Sequence, residues 1–131
     1  MSQNSIKLCA SNNFFWWVWN IRNLGDIAKA NSILPVIVKW EFDRKRIQDI
    51  IPPYYLGDKK IIKEKFLQYL NANNESLKQL SEECNIPYFE VGPFGHDCFY
   101  DMVHFNAKGL DEMADRMAQK IQPIIEKLFH N

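Results

Sequence analysis

Ile33-Leu34-Pro35-Val36-Ile37-Val38-Lys39-Trp40 is the stretch on which the fold turns. It is apolar almost without interruption, and β-branched residues follow its proline. A strand with one wet face alternates polar and apolar side chains. A run apolar on both faces fits a parallel strand buried between helices.

The flanking segments fit that reading. Before the run, residues 15–30 place Val18, Ile21, Leu24, Ile27 and Ala28 at helical spacing. After it, residues 41–57 are irregular, with Pro52-Pro53-Tyr54-Tyr55 as a loop signal. Residues 58–84 read as a helix carrying Ile62, Phe66, Tyr69, Leu70, Leu77 and Leu80, with the Asn-rich residues 71–74 as a weak point. Residues 86–91 form a second apolar strand. Residues 6–10 form another, ending in the polar turn Ser11-Asn12-Asn13.

Residues 92–105 are a loop broken by Gly92-Pro93 and Gly95. The last helix starts at Ala107 behind Asn106, a good N-cap. Its apolar stripe is Leu110, Met113, Ala114, Met117, Ile121, Ile124, Ile125 and Leu128, and Pro123 is expected to kink or interrupt it. Strands alternating with helices predict an α/β fold with a parallel sheet, in one domain over residues 1–131. In such sheets, sites form in loops beyond the carboxyl ends of the strands.

Charge excludes some partners. Sixteen basic residues balance sixteen acidic ones, so no electrostatic footprint for nucleic acid or an acidic membrane is present. The aromatic run Phe14-Phe15-Trp16-Trp17-Val18-Trp19 is too short to span a bilayer, and no membrane span is expected. It either lines a pocket or fills a core or an interface. Cys9, Cys84 and Cys98 are odd in number and not at paired spacing, which predicts free thiols and a cytoplasmic setting.

The chemistry concentrates in Asp101-Met102-Val103-His104-Phe105-Asn106-Ala107-Lys108-Gly109. An acid three residues before a histidine can reach its ring. Such a carboxylate fixes the tautomer of a histidine base and stabilises the imidazolium that forms. Two other readings use the same loop. His96, Asp97, Cys98, Asp101 and His104 offer zinc-type ligands, and Cys98 with His104 offers a thiol nucleophile.

The D-x-x-H block ahead of a helix resembles the last block of the SGNH (GDSL-type) ester hydrolases. Residues 74–91 resemble the helix and strand leading to that block, and residues 21–39 an earlier helix and strand, so the likeness covers most of the chain from Ile6. It implies a three-layer, flavodoxin-like sandwich and a Ser-His-Asp mechanism on a small-molecule ester, with no metal or organic cofactor. His104 would be the base and Asp101 its orienting acid.

Ala10-Ser11-Asn12-Asn13 stands where the family has G-x-N-D, which makes Asn12 the oxyanion donor by resemblance; otherwise it is an ordinary Asx-type turn. The family's G-D-S block is absent: Gly25-Asp26 and Gly57-Asp58 are followed by Ile27 and Lys59. The chain is therefore expected to lack the first strand or strands of the sheet, with the nucleophile supplied from outside it or by Ser11. A sheet short of neighbours would expose apolar surface and favour a homo-oligomer. The second expectation, motivated by the missing G-D-S, is a non-catalytic α/β module that binds or oligomerises.

Overall fold

The computed structural model describes residues 12–51 and 56–130. In chain order these form α1 (Asn12–Ala30), β1 (Ile37–Val38), a 3-10 helix (Arg44–Ile50), α2 (Lys59–Cys84), β2 (Tyr88–Phe89), a one-turn 3-10 helix (His96–Cys98) and α3 (Ala107–Phe129). β1 and β2 pair in a two-stranded parallel sheet, and the chain is mostly helical. The α/β alternation is present, but the strands are much shorter than expected. Pro35 has no N–H to give a ladder, and Ile33, Leu34 and Trp40 are exposed rather than sandwiched. The expected strand at residues 6–10 and Cys9 lie outside the described residues.

The chain divides into two compact units, one of α1, β1 and residues 68–88, the other of residues 40–67 with the chain from Phe89 onward. In the first unit, Ile37, Leu77, Leu80 and Ile86 form the core, and Trp17, Val18 and Ile21 of α1 pack on it. Gly25 is buried there, and a Cβ on it would stand 2.7 Å from Ile86 Cδ1. The inward face of α1 therefore runs Val18, Ile21, Gly25, Ala28. Leu24 and Ile27, expected on that face, are 62% and 60% exposed. One helical face cannot hold both sets, and the close approach at Gly25 selects the first.

α2 starts where Asp58 Oδ1 accepts from the backbone N–H groups of Lys60 (2.8 Å) and Ile61 (3.3 Å). Residues 71–74 do not break it. Asn73 and Asn74 are buried inside an unbroken helix, and the packing of Leu70, Leu77 and Leu80 outweighs a weak local propensity. Tyr69 faces outward.

Both helices of this unit end the same way. Ser32 (φ 59°) and Asn85 (φ 51°) are left-handed. Ile33 N donates to Ala28 O at 2.8 Å, and Ile86 N donates to Ser81 O at 2.9 Å. These are Schellman closures, which satisfy the last carbonyls and turn the chain toward each strand.

In the second unit, the buried apolar residues are Ile47, Phe89, Val91, Cys98, Phe99 and Met102. Asp43 caps the first 3-10 helix by accepting from Lys45 N at 3.0 Å. Phe105 stacks on Phe99 and meets the edge of Phe94. Arg116 of α3 donates to the carbonyls of Val91 (2.8 Å) and Pro93 (2.7 Å), with its guanidinium 4.3 Å from the Phe94 ring centre.

α3 runs through Pro123 as one helix, so the interruption allowed for there does not occur. Pro123 is exposed, where water can satisfy the carbonyl that its missing N–H leaves. Only Gly109 of α3 is fully buried; Leu110, Ile125 and Leu128 are exposed. Among the described residues, no helix is long and apolar enough to cross a membrane.

Candidate active site

The site is a hairpin of chain between the short 3-10 helix and α3. Phe99 and Phe105 bridge across it in antiparallel fashion, and Tyr100 N donates to His104 O at 2.8 Å. Asn106 caps α3 as expected, its Oδ1 accepting from Gly109 N at 3.0 Å. Its other side-chain group, Nδ2, donates to Asp97 O at 2.7 Å, and its backbone N donates to Cys98 O at 3.0 Å. A single asparagine thus fastens the start of the helix to the turn before the hairpin.

Asp101 and His104 meet inside the hairpin. His104 Nδ1 lies 2.8 Å from Asp101 Oδ2 and 3.0 Å from Oδ1. Asp101 Oδ1 also accepts from the backbone N–H groups of Val103 (2.9 Å) and His104 (2.8 Å). These bonds all favour the charged carboxylate. The Val103 N–H, then the His104 ring and the His104 N–H, lower the Asp101 pKa to about 2. An acid held ionised beside Nδ1 favours the tautomer with the proton there, which leaves Nε2 as a base. His104 is largely exposed, and its Nε2 has no hydrogen-bond partner among the described residues.

The zinc-type reading does not survive the geometry. Among the described residues, no three His, Cys, Asp or Glu side chains converge as a metal site. Asp97 turns to Lys108, which lowers its pKa and raises that of the lysine. His96 turns to Asp43, and Cys98 is sealed in the core. Burial, then the nearby Glu112, pushes the Cys98 thiol upward, the wrong direction for a nucleophile.

Asn12 is the first residue of α1, so it belongs to a helix and not to a strand-closing turn. Its side chain, and the whole of Ser11, lie outside what the structure describes.

The sequence reading missed a second Asp–His pair. Asp43, only 6% exposed, receives His96 Nδ1 on Oδ2. Arg46 Nε approaches the same oxygen as an ion pair at 3.4 Å, without the alignment of a hydrogen bond. Fifty-three residues separate Asp43 from His96, so no local spacing marks the pair.

Comparison with protein-family models, with curated proteins and with solved structures finds no match to this chain.

Proposed function

We propose that this chain is an SGNH-like carboxylic ester hydrolase with a three-layer, flavodoxin-like fold, in which His104 is the general base and Asp101 its orienting acid. The observation that carries the reading is the 2.8 Å contact between Asp101 Oδ2 and His104 Nδ1 in a hairpin that leaves Nε2 open. The D-x-x-H spacing and the helix behind it support the same reading.

In this mechanism a serine hydroxyl attacks the ester carbonyl and gives its proton to His104 Nε2. The imidazolium, stabilised by Asp101, returns that proton to the leaving alcohol. Water then attacks the acyl-serine by the same proton route and releases the acid. Ser11 is the nucleophile candidate within the chain, and Asn12 the oxyanion donor by resemblance.

The test is a fluorophosphonate probe on the purified chain, with the adduct mapped by mass spectrometry and His104→Ala as control. An adduct on one serine that His104→Ala abolishes supports the hydrolase. No adduct, or one indifferent to His104, refutes a hydrolase site complete within this chain and leaves either a serine supplied from outside it or the alternative, a binding or oligomerising module on the same α/β scaffold.

A further inference from the structure

The Asp101–His104 contact is local and orients the ring within its own hairpin. Catalysis also requires the hairpin to be held against the rest of its unit, and Asp43 is placed to do that. Its backbone N donates to Met102 O at 2.8 Å, next to Asp101. Met102 itself is among the most deeply buried side chains of the described residues. Through its carboxylate, Asp43 grips His96 in the turn from which the hairpin starts.

That turn is joined to the far end of the hairpin by the bond from Asn106 N to Cys98 O. One residue therefore holds the hairpin at its middle and at its base. A buried carboxylate is a costly way to fill space, since an apolar residue of similar size often serves stability as well. What it adds is fixed direction. Oδ1 is held by Lys45 N, and Oδ2 by the His96 ring with Arg46 alongside.

We propose that Asp43 and His96 are positioning residues, which fix the hairpin carrying Asp101 and His104 through the paired contacts Asp43–Met102 and Asp43–His96. Neither needs to touch substrate. The role in catalysis rests on the hydrolase reading above; the mechanical role does not.

The experiment compares His96→Phe, which removes the donor to Asp43 and keeps a ring, with His96→Gln, which keeps a side-chain donor. Amide hydrogen exchange is read at Asp43 and Tyr100, with Leu110 in α3 as the internal control. His96→Phe should speed exchange at Asp43 and Tyr100 by about tenfold or more, the loss of a hydrogen bond to a charged group. Leu110 should be unchanged, and His96→Gln should restore most of the protection. In any His104-dependent ester hydrolysis, His96→Phe should lower kcat with KM nearly constant, and His96→Gln should recover it.

Unchanged exchange in His96→Phe, equal behaviour of the two variants, or loss of protection spread evenly through α3 would each overturn the proposal. Loosened Asp43 and Tyr100 amides in a chain that takes up no fluorophosphonate would uphold the positioning role and refute instead a hydrolase site complete within this chain.

Discussion

Gly109→Ala adds one carbon at the tightest point beside the candidate site. Built on the backbone, that Cβ would lie 2.0 Å from the carbonyl oxygen of Cys98 and 2.6 Å from Phe105 Cδ1. The oxygen belongs to the main chain and also accepts from Asn106 N at 3.0 Å, so it cannot swing aside without loosening that bond. Overpacking costs about 3 kcal/mol at the severe end, and the strained hydrogen bond about 1 kcal/mol more. Alanine's better helix propensity returns about 1 kcal/mol.

The net loss is therefore about 3 kcal/mol, or a fall in Tm of roughly 10 °C for a chain of this size. Thermal unfolding followed by far-UV circular dichroism measures it. Gly25→Ala is the comparison. There the 2.7 Å contact is with the tip of Ile86, a side-chain end that can rotate, so the change should stay within about 1 kcal/mol. A Gly109→Ala chain that melts at or above the wild-type temperature would show that α3 does not sit on the Cys98 carbonyl as described.

Other perturbations test other contacts. Arg116→Ala removes two hydrogen bonds to carbonyls and the stacking on Phe94, and should cost about 2 kcal/mol in urea unfolding. Asp101 has a folded pKa below its unfolded value, so its stabilising contribution is complete above about pH 4 and is lost as pH falls toward 2. Asp101→Asn should accordingly flatten the acid limb of the stability curve between pH 4 and 2, and an unchanged limb would contradict the hydrogen bonds assigned to it. Cys98 is wholly buried and Cys84 only partly, so iodoacetamide under native conditions should alkylate Cys84 well before Cys98, as peptide mapping would show.

The parts of the fold and site that were legible in the sequence were those set by neighbours in the chain. Asn106 as a cap, Asp101 beside His104, and the helices at α2 and α3 all follow from spacing within a turn or two. Hydropathy overstated the strands, because it registers that residues 33–40 are apolar but not that Pro35 withholds a donor or that Ile33 and Leu34 face outward. The α1 stripe was misjudged for a related reason. Gly25 has no side chain to register as apolar, yet its absence is what lets Ile86 approach. The pairing of Asp43 with His96 was invisible because only the folded chain brings them together, and a polar residue in a basic segment gives no hint of burial.

The two left-handed corners at Ser32 and Asn85 have a consequence for which substitutions the first unit accepts. Each stops a helix and turns the chain toward a strand that begins five residues after Ser32 and three after Asn85, so where each helix stops depends on one dihedral angle. Neither position holds glycine, the residue that adopts this angle without steric penalty. Both corners therefore have room on one side and a wall on the other. Glycine would relax them, while a valine or isoleucine would press its branched carbon against the backbone and shift where the strand begins. Random drift at Ser32 and Asn85 is thus expected to be lopsided, tolerant of loss of a side chain and closed to branching at Cβ.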